Sequence, residues 1–521
     1  MIVNTMSTQS NNNKRIAKNA LLLYVRMLFT MTISLYTSRV ILRVLGIEDF
    51  GIYNVVGGVV SMLGFITGSL TGASSRFITY NIGTGDKNLV KQTFANILFI
   101  HILLSGLILL LAETFGLWFM TTKLQIPDSR MTAAMWVYQF SLLSALVSIL
   151  YSPYNALIVA YEKMSAFAYI SVFDAVMKLL IVYLLNVLPY DKLISYAWLF
   201  FLIQFFDISL YFIYCRRHFE ESLTFPKRSK ELFHKMFYFA GWTLTGNLAA
   251  VGYTQGINIL LNMFFGPVVN AARGIAVQVQ NVCRNFCYNF QMAINPQITK
   301  SYASGNLDYM HTLVMKSSKF SFFIMLLITL PIMLEADVIL KLWLGTVPEH
   351  TANFLRLVLC YSLLYTLQNP VVHSINAVGD LKKFQIIESS LLLTIVPISY
   401  VGLKFFGIIP EYVFVIHLCV EIVTQIARIQ IVLPKISMSI KMYYVKVVVP
   451  LLKFGVFSAI LPIACYFLIP SANIWYSVFL CILSVVSVAL TFYAVACNYQ
   501  ERLFVNEKIK KLVNRVFINR K

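Results

Sequence analysis

The stretch TFANILFIHILLSGLILLLAETFGLWFM, residues 93–120, carries one charged side chain, Glu113. A helix of about 20 apolar residues is long enough to cross the hydrocarbon core of a bilayer, so this stretch predicts a transmembrane helix. Apolar runs of similar length recur along almost the whole chain. They lack the short alternating pattern of outer-membrane strands. The sequence therefore predicts an all-α membrane protein.

The composition supports this class. Of the 521 residues, 59% are hydrophobic and 12% are charged, and the mean hydropathy is +0.74. A soluble domain carries about a quarter charged residues. The first 18 residues are polar, and no small-residue cleavage site follows the first apolar run, so no signal peptide is expected. The 8 cysteines are scattered without metal-ligand spacing, and we expect neither a metal nor a cofactor.

About fourteen transmembrane spans are predicted. The apolar runs place them at residues 19–45, 52–82, 90–118, 130–160, 165–187, 193–215, 236–264, 267–299, 312–334, 351–378, 384–403, 412–433, 447–469 and 474–496.

Positive charge sets the predicted orientation. On these spans, 28 Lys and Arg residues, Arg428 among them, fall in loops, in tails or in the adjoining span ends on one side, and 6 fall on the other. Positive loops stay in the cytoplasm, so both termini are expected to be cytoplasmic. The net charge of +20 is then a topology signal, and nucleic acid is not an expected partner. The predicted parts are a cytoplasmic tail 1–18, a lobe 19–215, a linker 216–235, a second lobe 236–434, an extra helix pair 435–497 and a basic amphipathic tail 498–521.

The two predicted lobes resemble each other in sequence. A shift of 220 residues lays residues 75–88 over 295–308 and Leu45-Gly46 over Phe265-Gly266. A shift of 217 lays Pro153 over Pro370. Both lobes begin on the same side, which predicts parallel repeats. The matching prolines suit the bending helices of a transporter, although a plain proline kink explains them equally well.

Polar residues follow one face of the span 267–299. Five of them are spaced 7, 4, 7 and 4 residues apart, which forms a stripe on a helix: Arg273, Gln280, Arg284, Gln291 and Asn295. The span before it repeats part of that spacing, and the first two spans add arginines. The candidate substrate-binding residues are Arg39, Arg43, Arg76, Asn247, Gln255, Asn258, Arg273, Gln280, Arg284 and Gln291.

Two interpretations of this pattern are open. Hydrogen bonding between packed helices explains scattered amides and hydroxyls. Several arginines with few nearby acids favour a water-filled cationic cavity instead, because an unpaired buried guanidinium needs water or an anion. Arg43 and Arg273 lie near the outer ends of their spans and are able to snorkel. We expect Gln280, Arg284 and Gln291 to be accessible to water.

Acidic residues inside the spans are candidates for ion coupling. Asp174 and Lys178 form an i, i+4 pair, and Asp207 lies in the next span. The other acids within spans are Glu113, Glu388 and Glu421.

Five segments carry a family resemblance. They are SRVILRVLGIEDFGIYNVVGGVV (38–60), SRFITYNIGTGD (75–86), KLQIPDSRM (123–131), AYEKMSAFAYIS (160–171) and GPVVNAARGIAVQVQ (266–280). Together they resemble the polysaccharide-transporter branch of the multidrug/oligosaccharidyl-lipid/polysaccharide (MOP) exporter superfamily, and within it the Wzx-type O-antigen and capsule flippases.

The resemblance implies a multi-pass protein of a bacterial inner membrane, with two six-helix lobes around a central cavity, and alternating access. The implied cargo is an undecaprenyl-diphosphate-linked oligosaccharide, and other polysaccharide-assembly proteins are implied partners besides membrane lipids. Arg39, Arg76 and Arg284 suit the diphosphate by charge and geometry. The last helix pair is similar to that of lipid II flippases, where the added helices hold the lipid tail.

Other functions remain open. A cation-coupled multidrug exporter of the same superfamily typically has acids in its first-lobe cavity, whereas the first span here has arginines and no acid. A lipid II flippase shares the same physics. An enzyme of the same pathway is disfavoured because the longest predicted outer loop, about 335–350, is short and no nucleophile motif stands out.

Overall fold

The computed structural model describes residues 2–61, 64–123, 126–223, 229–345, 347–468, 473–497, 501–503 and 506. Side chains at 2–14, at Arg39 and Arg43, and at some other helical positions lie outside that description. Within the described ranges the chain is almost entirely helical and has no strand. The prediction of an all-α protein is confirmed.

Seventeen α-helices are described along the chain. The first seven are α1 (Ile2–Ser61), α2 (Gly64–Thr84), α3 (Lys87–Leu111), α4 (Leu117–Lys123), α5 (Met131–Ala160), α6 (Met164–Val187) and α7 (Lys192–His218). The others are α8 (Lys230–Ala303), α9 (Leu307–Leu334), α10 (Ala336–Leu344), α11 (Thr351–Val378), α12 (Lys382–Leu393), α13 (Ile395–Phe406), α14 (Glu411–Lys435), α15 (Ile440–Tyr443), α16 (Val449–Leu468) and α17 (Ile474–Thr491).

Side-chain caps begin several of these helices. Asp86 accepts from backbone N–H groups of α3, Asp191 from those of α7, and Ser229 from the N–H of Leu232 in α8. The cap satisfies N–H groups that have no partner within the helix. Polar residues between apolar runs therefore fix where these helices start.

Eleven helical segments in the described residues are long and apolar enough to cross a membrane. They account for eleven of the predicted spans, and the three others are 52–82, 267–299 and 351–378. The count of fourteen is therefore not confirmed. The first two of these three spans are rich in polar and small residues. These residues lower the mean hydropathy of the two spans.

Glycines break the two longest helices at equivalent positions. Gly46 in α1 has φ 79° and ψ 171°, and Gly266 in α8 has φ 80° and ψ −173°. These are the two glycines that the 220-residue shift aligns. Gly85 and Gly305, aligned by the same shift, also have positive φ. Only glycine adopts such angles without strain, so the repeat in the sequence reflects a repeat in backbone geometry.

Several local predictions need correction. Helix α1 begins at Ile2, so it includes residues of the predicted tail 1–18, whose cytoplasmic placement stays a prediction. The expected outer loop 335–350 contains helix α10. The predicted span 384–403 is interrupted at Thr394, between α12 and α13. The basic tail beyond residue 506 lies outside the described residues.

The chain divides into two compact units. The first comprises Met1–Leu248, Met292–Met310 and Asn376–Gln385. In it α5 packs against α7 and α2, and α1 packs against α6. The second comprises Ala249–Gln291, His311–Ile375 and Ile386–Lys521, with a buried cluster that includes Phe354 and Phe414. These units do not coincide with the predicted lobes 19–215 and 236–434, which stay a prediction.

Candidate functional site

Arg284 lies in the second unit, on the part of α8 that follows the Gly266 break. Its guanidinium carbon is 4.6 Å from the ring centroid of Tyr365 and 5.5 Å from that of Tyr361. Among side chains that the structure describes, none accepts a hydrogen bond from it or forms an ion pair with it, and its Nε is without a hydrogen-bond acceptor. Aromatic faces stabilise a cation without neutralising it. Arg284 is therefore an arginine with uncompensated charge.

Arg273 forms a second cationic group three turns earlier on the same helix. Its Nη1 donates to Asn258 Oδ1, and its Nη2 donates to the Thr254 carbonyl at 3.1 Å. Asn258 Nδ2 in turn donates to Gln255 Oε1 at 3.0 Å. Three predicted site residues, Arg273, Asn258 and Gln255, are thus joined by hydrogen bonds whose acceptors are neutral. No acid in the described part of the chain pairs with Arg273.

Gln280 and Gln291 hold helices together. Gln280 is 2% exposed and donates to Ser362 Oγ at 2.6 Å and to the Val358 carbonyl at 3.2 Å. Gln291 is fully buried and donates to Ser321 Oγ at 3.0 Å. Our expectation that both are accessible to water is wrong in this conformation. Their amides satisfy neighbouring helices, which is the packing interpretation.

Asn247 and Arg76 lie in the first unit. Asn247 Nδ2 donates to Ser69 Oγ at 2.7 Å, which links α8 to α2. Arg76 donates through Nε to the Asn376 carbonyl at 2.8 Å and through Nη2 to the Ala377 carbonyl at 3.0 Å. A helix ends with carbonyls that lack intrahelical partners, so Arg76 caps α11. Its role in diphosphate binding stays a prediction, because these donors are occupied here.

Gly379, the residue that follows the capped end of α11, allows the Arg76 guanidinium to lie close to the backbone there. Gly379 has φ +91°, and a Cβ atom at that position would lie 2.5 Å from Arg76 Nη2. The guanidinium also lies over the rings of Phe77 and Tyr80, at 4.4 and 4.8 Å. A glycine is therefore needed both for the backbone turn and for the contact.

Glu162 was missed by sequence analysis. It sits in the turn between α5 and α6 with φ 57°, and its side chain is fully buried. Lys300 Nζ and Gln297 Nε2 each donate to Glu162 Oε1 at 2.7 Å, and Arg15 Nε lies 3.0 Å from Oε2. Burial lowers the pKa of Lys300, and the Glu162 carboxylate opposes that shift. The turn is thereby fixed to both α1 and the end of α8, all within the first unit.

The 217-residue shift that aligns Pro153 with Pro370 also aligns Glu162 with Gly379. Both residues follow the end of a proline-containing helix, and both have positive φ. The turn at Glu162 contacts the end of α8, and the turn at Gly379 contacts Arg76 near the end of α2. The sequence repeat therefore indicates that the turn at Glu162 is equivalent to the turn at Gly379. The sequence interpretation rested on the aligned prolines and did not extend to these turns.

The three candidate coupling residues meet in the first unit. Lys178 Nζ is 2.8 Å from Asp174 Oδ1, and Asp207 lies close enough to Asp174 for the two carboxyl groups to interact electrostatically. Asp207 is 8% exposed. Two neighbouring carboxylates with a single lysine, which pairs with Asp174, carry a net negative charge unless one of them holds a proton. The site is therefore suited to binding a single proton or cation.

A second buried charge cluster was assigned wrongly. Arg428, which we counted among the cytoplasmic positive charges, is 1% exposed within α14. Its Nε donates to Glu388 Oε1 and its Nη1 to Glu421 Oε1, both at 2.6 Å. Two of the acids considered for coupling are thus bound to an arginine.

Because the side chains of Arg39 and Arg43 lie outside the described residues, their site assignment stays a prediction.

The fold is similar to that of known transporters. A MATE structure in a bent conformation matches with a TM-score of 0.71 and 15% identity, over 82% of this chain and 96% of the other. An outward-facing multidrug resistance MATE family transporter of the MOP superfamily matches at 0.68 and 14%, over 81% and 96%. A MOP superfamily transporter from Pyrococcus furiosus, described as having a binding pocket of reverse polarity, matches at 0.66 and 16%, over 81% and 96%. No curated protein sequence matches significantly.

The fold and the apolar helices define a multi-pass membrane protein. A model of the family described as polysaccharide biosynthesis protein matches residues 16–300, more than half of the chain. The chain belongs to this family, and its fold is similar to that of MOP superfamily transporters.

Proposed function

We propose that this protein is a flippase that carries undecaprenyl-diphosphate-linked oligosaccharides, such as O-antigen or capsule repeat units, across the bacterial inner membrane. The polysaccharide biosynthesis family and the transporter fold support an exporter of this general type. The proposal adds the cargo, its movement by alternating access, and an orientation with both termini in the cytoplasm.

The uncompensated charge of Arg284 is the observation that carries the proposal. A buried or half-buried guanidinium without an acid is costly in a membrane protein unless an anion or water meets it. Arg273 adds a second guanidinium that only neutral groups satisfy. Arginine binds phosphate oxygens in a bidentate manner, so a diphosphate suits this helix in both charge and geometry.

The groups around the arginines suit the sugar part of the cargo. Gln255 and Asn258 are exposed or half-buried amides beside Arg273. Tyr361 and Tyr365 present ring faces next to Arg284. Amides bond to hydroxyls as donor and acceptor at once. An anionic head and a polyhydroxyl chain therefore both find partners in the second unit.

Transport also requires that the contacts at one end of the molecule open and close. The Glu162–Lys300 ion pair and the Arg76 cap on α11 are the contacts that we assign to this step. Each is a small set of charged hydrogen bonds rather than a large apolar interface. For the driving force we assign a proton that binds between Asp174 and Asp207.

A multidrug exporter is the second candidate, since a structurally similar transporter is described as conferring multidrug resistance. Such a protein prefers cationic drugs, and two guanidiniums without acids repel them. Replacement of Arg284 separates the two functions: it reduces glycan export if the cargo is anionic and changes drug sensitivity if the cargo is a cation. A lipid II flippase is separated from a glycan flippase by competition between the two lipid-linked cargoes.

A further inference from the structure

A groove of about 1520 Å³ runs along the first unit between α3, α5, α7 and the start of α8. Its lining is mainly apolar, and Ile102 and Ile213 are 58% and 46% exposed. Two aromatic pairs lie along it, Phe99 with Phe233 and Tyr154 with Phe212. In a membrane protein, exposed apolar side chains of this kind face hydrocarbon chains rather than water.

One end of the groove is cationic. Lys230 and His234 line it there, on the first turns of α8. Arg216, at the end of α7, holds its guanidinium carbon 4.8 Å from the ring centroid of Phe212, another lining residue. Among described side chains, neither Lys230 nor Arg216 is paired with an acid; Glu231 pairs with Lys235, and Glu220 pairs with Lys91. The N-terminus of a long helix adds further positive potential.

The groove is somewhat shorter than one leaflet. Along α3 the lining extends from Ala95 to Ile102, about 10 Å at 1.5 Å per residue. One leaflet of a bilayer contributes about 15 Å of hydrocarbon. The groove therefore covers about two thirds of the depth that a phospholipid acyl chain occupies, whereas a long polyprenyl chain would extend far beyond it. The cationic end lies on the side that the positive loops predict to be cytoplasmic.

We propose that this groove is a binding site for an anionic phospholipid of the cytoplasmic leaflet. One acyl chain lies against Phe99, Ile102 and Phe212, and the phosphate lies between Lys230 and Arg216. The occupant is a bilayer lipid rather than the transported cargo, so the proposal is independent of the flippase function. Such a lipid joins the start of α8 to α3 and α7 and stabilises the first unit.

Native mass spectrometry of the full-length protein with phosphatidylglycerol and phosphatidylcholine tests this. Phosphatidylglycerol should bind more tightly, and the double variant Arg216→Ala/Lys230→Ala should weaken it about tenfold, as expected for lost contacts to a charged group. The matched control Arg217→Ala/Lys235→Ala removes the same charge from the same turns without touching the groove lining. Ile102→Trp, at an exposed position, should fill the groove and reduce binding of both lipids.

The contrary results are equally definite. Equal binding of both lipids, or equal loss in the two double variants, would show that the groove has no phosphate site. Displacement of phosphatidylglycerol by equimolar undecaprenyl phosphate would assign the groove to the tail of the cargo and overturn the proposal.

Discussion

The carboxylate of Glu162 accepts a hydrogen bond from Lys300 Nζ at 2.7 Å, across 138 positions of the chain. The residue that replaces Glu162 in the second repeat is Gly379, and there the partner is Arg76, which donates to the carbonyls just before it. The two repeats thus use the same turn for the same purpose with opposite chemistry. In one the turn supplies the anion, and in the other it supplies carbonyl groups to a cation.

We expect Glu162→Gln to destabilise the first unit. The change leaves Lys300 and Arg15 without their anion, and removing one partner of a buried ion pair costs about 3 kcal/mol. Thermal unfolding in detergent should show a lower Tm, and a cysteine at Ser301 should react faster with a thiol reagent. Glu220→Gln is the control, because Glu220 is exposed and lies 3.6 Å from its partner Lys91. An unchanged Tm and labelling rate would mean that the ion pairs of Glu162 do not stabilise the first unit.

Gly379→Ala should also destabilise the protein, by about 1–3 kcal/mol, because alanine at φ +91° is strained and its Cβ meets Arg76. The matched control is Gly241→Ala, where a Cβ meets nothing within 4 Å in a helix. That change should be neutral or stabilising, because alanine favours helices. The difference in unfolding temperature between the two variants is the measurement. Equal values would remove the argument for a close Arg76 contact.

We expect Asp207→Asn to uncouple transport from the proton gradient. The amide mimics a permanently protonated carboxyl, so Asp174 and Lys178 neutralise each other at any pH. Flux in proteoliposomes should then no longer respond to an imposed pH difference. Glu113→Gln, at an acid whose side chain accepts a hydrogen bond from Gln139 and forms no ion pair with a described residue, should keep the response. A response retained in Asp207→Asn would assign coupling elsewhere.

Sequence periodicity was sufficient for the helices but not for what their polar faces contact. The 7/4 spacing correctly placed Gln280, Arg284 and Gln291 on one face of α8. It gave no information on whether that face meets water or serines such as Ser362 and Ser321. Amides satisfy either environment, so their presence does not discriminate. Arginine does not discriminate by its presence alone either, since packing supplies Arg76 with carbonyls and Arg428 with acids, whereas Arg284 has neither among described residues.

Long-range partners explain the other errors. Arg76 looked unpaired because its acceptors are backbone carbonyls 300 positions away. Every residue has a backbone carbonyl, so the sequence does not distinguish the carbonyls that accept from Arg76. Arg428 looked like a loop charge because its acid Glu388 lies 40 positions earlier. The break at Gly266 was predictable from the sequence, since the repeat aligns Gly266 with Gly46 and glycine is the residue that a positive φ requires.

The central claim is that Arg284 meets an anionic, lipid-linked sugar. The direct test is translocation of an undecaprenyl-diphosphate-linked oligosaccharide in proteoliposomes, with wild type, Arg284→Ala, Arg284→Lys and the surface control Arg217→Ala. Loss of charge-assisted hydrogen bonds is worth about 1.5–3 kcal/mol, so Arg284→Ala should reduce flux roughly tenfold or more. Lysine should restore it only in part, because it lacks the planar fork. The surface control should match wild type, and a cationic dye should not be moved. If Arg284→Ala translocates the oligosaccharide at the wild-type rate, or if the dye is the transported species, the account is wrong.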